Sequence, residues 1–363
     1  MPPSERRQAA APARLVEGGL PTEALVSDVV VSKYGWHLPL YRQSQMMAAE
    51  GIDIDRSTLA HWVGFAGFEP RPVYERLVAI LKSATKLFAD ETRCPVLDPG
   101  RGKTKTGYLW AIARDDRPWG GSDPPAVAYM YAPGRGGEHA IRHLAGFSGT
   151  LQVDGYVAYK QLTKSERVGG PLVLANCWGH FRRQFYDITK TGNAPIATEA
   201  LQRIAALYAI EDEIRGQSAD QRRAVRQART KILVDQLEGW LKEQLVRISK
   251  GATLAEAIRY GLNHWAGLSR YLDDGRIGID STTVERAMRP LALNRKNALF
   301  AGSDEGADNW ACLASLIESC KLNAINPHAW MTDVLIKLVR GWPAVRIDDL
   351  MPWAYADPVA VNV

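Results

Sequence analysis

Apolar residues recur at helical spacing between positions 38 and 63 of the chain. The run 40–50 places Leu40 and Met47 on one apolar face, and Gly51 follows it as a helix-ending residue. Ser57 is suited to cap a second helix over 58–63. The pattern predicts a helix, a tight turn and a second helix. It is either a helix-turn-helix, whose second helix enters a major groove, or a helical hairpin packed on the next domain.

From about residue 85 to 175 the pattern changes to the short apolar runs that are typical of strands. Strands are predicted at 85–89, 106–113, 126–131, 150–153 and 171–175, and helices at 138–144, 156–162 and 177–188. The first strands have an antiparallel pattern, and strand–helix alternation follows. This sequence of elements indicates an α/β fold.

The rest of the chain, from 195 onward, has mostly helical periodicity. Leu201, Ile204 and Leu207 show the spacing of three and four residues that continues to about 271. Near the C-terminus, Asn326 followed by Pro327 has the form of a helix cap and first helical residue, which predicts a helix over 327–340.

Basic residues are concentrated in the link 215–231, between two of these helical stretches. They are Arg215, Arg222, Arg223, Arg226, Arg229 and Lys231. Such a run can follow a phosphate backbone, but a solvated helix face is the interpretation that we favour.

Composition indicates a globular chain of more than one domain. Its 363 residues are 46% hydrophobic and 23% charged. No run approaches the roughly 20 apolar residues of a membrane helix, and the first residues lack the apolar core of a secretory signal. Four scattered cysteines are too few for a disulfide framework, so a reducing cytoplasm is expected. The net charge of +5 is compatible with a polyanionic partner.

Three carboxylates occupy positions suited to metal-dependent phosphoryl transfer. Asp90 follows a short apolar stretch, Asp154 follows a predicted strand, and Glu285 lies in a predicted helix. Together they could bind a pair of Mg²⁺ ions about 3.5–4 Å apart. The alternatives are a turn cap for Asp90, an Asp-Gly turn for Asp154 and a surface ion pair for Glu285. Glu91 would point to the opposite face, so it is the weaker ligand candidate.

A second set of candidates carries positive charge or a histidine. Cys177 and His180 have the spacing of half a zinc site, but no second pair stands at suitable spacing, and structural zinc needs four ligands. His180 and Arg183 could instead hold a phosphate, unless His180 is a buried, hydrogen-bonded residue. The basic residues around Glu285 could also bind phosphate. The candidate nucleic-acid contacts are Arg56, Thr58, His61, His180, Arg183, Arg286, Arg289, Arg295 and Lys296.

Short motifs that include these residues follow one another along nearly the whole chain. They lie at 31–34, 37–43, 56–63, 89–92, 97–107, 151–156, 177–183, 284–290, 295–297, 300–304, 315–318 and 321–323. From about Gly18 to Trp353, their order resembles the transposases of the insertion sequence 66 family, a branch of the DDE transposases. So many motifs in order are more specific than any single carboxylate.

The resemblance implies an α/β fold with an RNase H-like catalytic core, in which Asp90, Asp154 and Glu285 match the DDE positions. The chain is expected to begin with a disordered lead-in at 1–20 and a helical, helix-turn-helix-like segment at 21–82. The first part of the core would span 83–194, an all-helical insertion 195–275, the last part of the core 276–322, and a C-terminal helical element and tail 323–363.

The resemblance also implies an activity, cofactors and partners. Family members are expected to cleave the ends of an insertion sequence and transfer the strands to target DNA. The three DDE carboxylates would bind two Mg²⁺ ions, for which Mn²⁺ can substitute. We therefore expect DNA as a partner, a homo-oligomer on DNA, small companion proteins from the same element, and a cytoplasmic, nucleoid-associated location without a membrane.

Two departures from the family pattern keep other functions open. Longer members carry an N-terminal cysteine-rich zinc-binding region, which this chain is expected to lack, and the residues 281–283 differ from the Asn-rich version expected there. One alternative is a DNA-binding remnant that regulates the parent element, and the other is an RNase H-like nuclease. DNA cleavage and strand joining distinguish these three functions.

Overall fold

Five strands form one mixed sheet in the structure, a computed structural model that describes residues 13–355. The strands are β1 (Lys86–Asp98), β2 (Lys103–Arg114), β3 (Ala126–Ala132), β4 (Thr150–Val153) and β5 (Val173–Asn176). Their order across the sheet is β3-β2-β1-β4-β5. β1, β2 and β3 pair antiparallel, whereas β4 pairs parallel with both β1 and β5. The antiparallel meander followed by parallel strands confirms the expected α/β, RNase H-like class.

β1 extends well beyond the predicted strand. It continues through Asp90 to Asp98, which pairs with Lys103 at the start of β2. Gly100 and Gly102 have φ values of +84° and +64° and close this hairpin. Charged residues interrupt the apolar run, yet backbone pairing with β2 continues past them because it does not depend on side-chain polarity. The prediction that Asp90 ends a strand is therefore wrong.

The predicted helix, turn and helix are present as α2 (Leu40–Ala49) and α3 (Arg56–Phe68). Gly51 lies between them with a φ of +84°, as expected of a helix-ending residue. The predicted cap is wrong, because Asp55 rather than Ser57 caps α3. The Asp55 carboxylate accepts a 2.6 Å hydrogen bond from the Ser57 N–H.

One continuous hydrophobic core joins these helices to the sheet. Val26 and Leu77, on the flanking helices α1 (Glu23–Tyr34) and α4 (Arg71–Lys82), are fully buried in the same core as the sheet residues. The same core also contains residues of the helices α5 (Gly137–His143), α12 (Thr282–Ala298), α13 (Asp304–Leu322) and α14 (Pro327–Val339). The helix-turn-helix pair is therefore packed directly on the α/β core.

Two predictions concern the ends of the chain. Residues 1–12 and 356–363 lie outside the described residues, so most of the predicted lead-in 1–20 is not described. In its described part, Leu15 is buried and its backbone N–H donates a 3.0 Å hydrogen bond to the Glu23 carboxylate; the lead-in as a whole stays a prediction. Asn326 caps α14 as predicted, since its side chain accepts hydrogen bonds from two backbone N–H groups. Within residues 13–355, no helix has the length and apolar character that a bilayer span requires.

A second hydrophobic core lies among the helices that follow β5. These are α6 (Trp178–Thr189), α7 (Pro195–Glu213), α8 (Ala219–Val225), α9 (Lys231–Arg247), α10 (Thr253–Asn263) and α11 (Trp265–Ser269). Trp178 is fully buried there, and its indole N–H donates a 2.8 Å hydrogen bond to the Leu268 carbonyl. Gly261 allows α10 to approach α6, because a Cβ at this position would lie 2.2 Å from the Phe181 ring. The predicted boundaries 195 and 275 stay predictions.

The basic link has a structural role that neither interpretation anticipated. The fully buried Arg226 donates hydrogen bonds of 2.7 Å from Nε and Nη2 to the Glu211 carboxylate, and the buried Arg222 adds one of 3.3 Å. Arg229 pairs instead with the exposed Glu213. For Arg222 and Arg226, both the phosphate track and the solvated face are therefore wrong, because their partner lies on α7.

A buried histidine on α5 is expected to make stability depend on pH. Burial lowers the pKa of His143 from its usual 6.5 to about 3, and the nearby charges of Arg142 and Lys82 add to this effect. Between these two values the unfolded chain binds a proton that the folded chain does not, so acid destabilises the folded state. Relative to His143→Phe, the wild type should lose about 1–2 kcal/mol of unfolding free energy between about pH 7.5 and pH 5 in guanidinium titrations. A difference that does not change with pH would contradict this.

Candidate active site

Asp90 and Asp154 come from neighbouring parallel strands. Phe88 on β1 pairs with Gln152 on β4, and each aspartate stands two residues further along the chain. Side chains two residues apart point to the same side of a sheet. The structure therefore brings the two predicted aspartates together, although only Asp90 lies inside a strand.

Asp90 is a partly buried carboxylate that forms no ion pair within residues 13–355. Burial raises its pKa to about 7, and the negative charges of Glu91 and Asp154 add to the increase. Its Oδ1 accepts a 2.8 Å hydrogen bond from the Glu91 N–H, but within residues 13–355 no Lys or Arg side chain forms an ion pair with it. A bound cation would stabilise the charged form of such a group.

Asp154 is held in a tight loop after β4. Its Oδ1 accepts a 2.8 Å hydrogen bond from the Tyr156 N–H, and its carbonyl accepts one of 2.5 Å from the Tyr260 hydroxyl on α10. Gly155 has a φ of +101°, and a Cβ there would lie 3.0 Å from the Tyr260 hydroxyl and 3.2 Å from His264 Nε2. Tyr260 and His264 were not predicted from the sequence, because both lie far from Asp154 along the chain.

Glu91 has partners of its own on the opposite side of β1. Its Oε1 accepts hydrogen bonds of 2.8 and 2.6 Å from Arg135, and its Oε2 accepts one of 2.7 Å from the Tyr159 hydroxyl. The Glu91 side chain is fully buried. These bonds leave little capacity for a metal ion, which supports Asp90 over Glu91 as the ligand candidate.

The two neighbouring carboxylates on β1 are expected to have opposite effects on stability. At about pH 8 without divalent cations, Asp90→Asn should raise the free energy of unfolding by about 1–2 kcal/mol, since it removes an uncompensated charge. Glu91→Gln should lower it by about 2 kcal/mol, since it weakens the bonds to Arg135 and Tyr159. Guanidinium unfolding of both variants measures the difference. Destabilisation by Asp90→Asn would mean that this carboxylate has a structural partner.

Glu285 lies on the first turn of α12, as predicted, and faces the start of α6. Its Oε1 is 3.5 Å from His180 Nδ1 and 4.0 Å from Cys177 Sγ. Within residues 13–355, Cys177, His180 and Glu285 bring their ligand atoms within 4.8 Å of one another, whereas the three predicted DDE carboxylates form no such group. His180 links the two halves of the site, because it lies beside Glu285 and is also close enough to Asp90 to lower the pKa of that carboxyl.

A cleft of about 650 Å³ opens beside Glu285. Arg182, Arg183 and Tyr186 from α6 and Tyr208 from α7 contribute to its walls. Arginine and tyrosine at the mouth of a cleft can contact phosphates and bases. Of these four residues, the sequence analysis had singled out only Arg183. The contribution of Tyr208 depends on the packing of α7 against α6, which is a tertiary contact.

The remaining nucleic-acid candidates differ in their exposure. Arg56, Thr58 and His61 are exposed on α3. Arg183 in the cleft wall and Arg286, Arg289 and Lys296 on α12 are exposed, and within residues 13–355 none of them forms an ion pair. Arg295 is partly buried and donates to the Thr92 hydroxyl at 2.8 Å and to the Arg93 carbonyl. It joins α12 to β1 and is the weakest of these candidates.

The mixed sheet and its helical layers are those of an α/β transposase fold. A family model described as "Transposase IS66 family" matches residues 18–309, and one described as "IS66 C-terminal element" matches residues 315–353. The chain belongs to the IS66 transposase family.

Similar proteins of Sinorhizobium fredii are longer than this chain. The uncharacterized protein y4qI is 47% identical over 352 residues, which are 96% of this chain and 65% of y4qI. The uncharacterized protein y4jD is 48% identical over 356 residues, which are 97% of this chain and 70% of y4jD. The chain thus spans about two thirds of the length of these curated relatives.

Proposed function

We propose that this chain is a DDE-type DNA strand transferase that cleaves the ends of an insertion sequence and joins them to target DNA. The observation that carries the proposal is the juxtaposition of Asp90 and Asp154 at neighbouring strands. Glu285 lines a cleft together with His180, and His180 is also close enough to Asp90 to lower the pKa of that carboxyl. Membership of the IS66 transposase family supports the same chemistry.

Two Mg²⁺ ions are the proposed cofactors, with Mn²⁺ as a substitute. Carboxylate oxygens are the ligands that these cations prefer, and Asp90 is a partly buried carboxylate that has no ion pair among the described residues. Asp90 and Asp154 would hold the ions, and Glu285 would complete the second site. When bound, the ions supply the Lewis acidity that activates the attacking oxygen and stabilises the leaving one.

The other residues would bind and orient the DNA. Arg183, Arg286 and Arg289, which form no ion pair in the described part of the chain, would offer positive charge to DNA phosphates, and α3 would enter a major groove. Hydrolysis of one phosphodiester bond leaves a 3′-OH at the element end. That hydroxyl then attacks a target phosphodiester, so that one P–O bond forms as another breaks and no ATP is needed.

The partners are also part of the proposal. An element has two ends, so we propose a homo-oligomer that holds both ends on DNA. We also propose that small companion proteins encoded by the same element take part, and that the protein is cytoplasmic and associated with the nucleoid.

The test is an assay with DNA from either side of the gene that encodes this chain. End-labelled duplexes are incubated with the full chain and a supercoiled target plasmid, in Mg²⁺ or in EDTA, beside duplexes of shuffled sequence. The expected products are specific nicks that leave a 3′-OH and labelled strands joined to the plasmid, in Mg²⁺ only.

Each other outcome overturns the proposal in favour of a different function. Specific cleavage without joining indicates an RNase H-like nuclease. Specific binding without cleavage indicates a DNA-binding remnant that regulates the element. Products that persist in EDTA exclude the metal-dependent mechanism.

A further inference from the structure

We propose that Cys177, His180 and Glu285 form a binding site for one Zn²⁺ or a similar soft transition-metal ion at the edge of the candidate active site. Cys177 precedes α6, His180 lies on its first turn, and Glu285 lies on α12. The three ligand atoms, Sγ, Nδ1 and a carboxylate oxygen, lie within 4.8 Å of one another. The third ligand is more than a hundred residues away in sequence, so the spacing of Cys177 and His180 alone indicated only half a site.

The two distances from Glu285 are close to those between the ligand atoms of a tetrahedral zinc site. Zinc bonds of about 2.0–2.3 Å place the ligand atoms about 3.3–3.8 Å apart. Glu285 Oε1 lies 3.5 Å from His180 Nδ1 and 4.0 Å from Cys177 Sγ. A small rotation of the partly exposed Glu285 side chain would shorten its longer distance, to Cys177 Sγ, and the third pair of ligand atoms, Cys177 Sγ and His180 Nδ1, already lies within 4.8 Å.

Two of the ligands are positioned by their surroundings. The Ser281 N–H donates a 3.2 Å hydrogen bond to Cys177 Sγ, which orients the sulfur and favours a thiolate. His180 Nδ1 is buried and has no hydrogen-bond partner within residues 13–355. Buried polar atoms normally have a partner, and a metal ion would provide one for this nitrogen.

The site would have three protein ligands and an open fourth position. His180 and Glu285 both line the cleft of about 650 Å³, through which water or a phosphate oxygen can reach the ion. This ligand number is typical of zinc sites with an exchangeable ligand rather than of closed structural sites. Burial raises the pKa of the Cys177 thiol to about 11, so the ion has to displace the thiol proton.

The donor set makes the site selective against Mg²⁺. Sulfur and nitrogen ligands favour Zn²⁺, Cd²⁺ and Co²⁺, whereas Mg²⁺ prefers oxygen. A bound Zn²⁺ would take Glu285 away from the proposed Mg²⁺ site and so inhibit DNA cleavage. This consequence rests on the proposed function, but metal binding itself does not.

Titration of the full chain with Co²⁺, in excess Mg²⁺ and without DNA, tests the site. We expect one equivalent of Co²⁺ to bind with the near-ultraviolet absorption of a cobalt–thiolate bond, and Zn²⁺ to displace it. Cys177→Ala should lose this absorption, whereas Cys94→Ala, a control at a buried cysteine on β1, should keep it. Glu285→Gln should keep the absorption but weaken Co²⁺ binding at least about tenfold.

Absence of the cobalt–thiolate absorption in the wild type would overturn the proposal. The same absorption in Cys177→Ala, or an unchanged affinity in Glu285→Gln, would overturn it as well. Circular dichroism checks the fold of each variant, and Glu285→Gln decides the result if Cys177→Ala does not fold. Because the titration contains no DNA, failure of the cleavage assay is a separate result.

Discussion

Replacing Asp154 with Asn is expected to lower the rate of Mg²⁺-dependent DNA cleavage by about 100-fold or more. The substitution keeps the shape of the side chain but removes one of two adjacent carboxylates. Metal-assisted charge stabilisation contributes several kcal/mol in the transition state, and about 1.4 kcal/mol corresponds to a tenfold change in rate. Asp90→Asn should have an effect of the same size. Initial rates of end cleavage over a range of Mg²⁺ concentrations measure both.

Asp98→Asn is the matched control for these variants. Asp98 ends the same strand as Asp90, roughly 26 Å away at about 3.3 Å per residue, and its partner is Arg101 in the hairpin turn. We expect nearly full activity from Asp98→Asn. Since Asp90→Asn is expected to be more stable than the wild type, its lost activity could not be attributed to unfolding. Full activity in Asp154→Asn would remove Asp154 from the proposed catalytic site.

Glu211→Gln is expected to lower the free energy of unfolding by about 3–5 kcal/mol. Glu211 is the carboxylate partner of the buried Arg226 and Arg222. The substitution leaves two guanidinium groups buried without an opposite charge, and it weakens the connection between α7 and the residues that follow α8. Equilibrium unfolding in guanidinium chloride measures the change.

Glu213→Gln is the control on the same helix. Glu213 also pairs with an arginine, Arg229, but both side chains are about half exposed. Exposed ion pairs contribute little because water already solvates both charges. Equal losses of stability in the two variants would contradict the inference that burial makes the ion pairs of Glu211 more important for stability than the exposed pair of Glu213.

Local patterns predicted the elements that surround the site. The apolar run of β3, the cap at Asn326 and the helix-ending Gly51 depend on neighbouring residues, so they could be recognised in the sequence. The length of β1 could not, because its polar half is stabilised by pairing with β2 and by the bonds that Arg135 makes to Glu91. Arg135 lies 44 residues from Glu91 in the chain, and the pairing with β2 is made by the backbone, so neither produces an apolar pattern that could be recognised in the sequence.

The candidate active site likewise combines residues that were predicted from the sequence with contacts that were not. The family resemblance selected Asp90, Asp154 and Glu285, and the strand register places the two aspartates side by side. The contact of Glu285 with His180 and Cys177 depends on how α12 meets α6. No spacing of residues in the sequence predicts the contact between these two helices.

By itself, the sequence determined the α/β class, most of the helices and strands, and the candidate carboxylates, because periodicity, caps and motifs are short-range features. Only the tertiary structure decided which charges lie together. It buried Arg226 against Glu211, left Asp90 without an ion pair within residues 13–355, and placed Glu285 next to a thiol and an imidazole. The physical reason is that the energy of a charge depends on its burial and its nearest partners, and both are set by contacts between residues far apart in the chain.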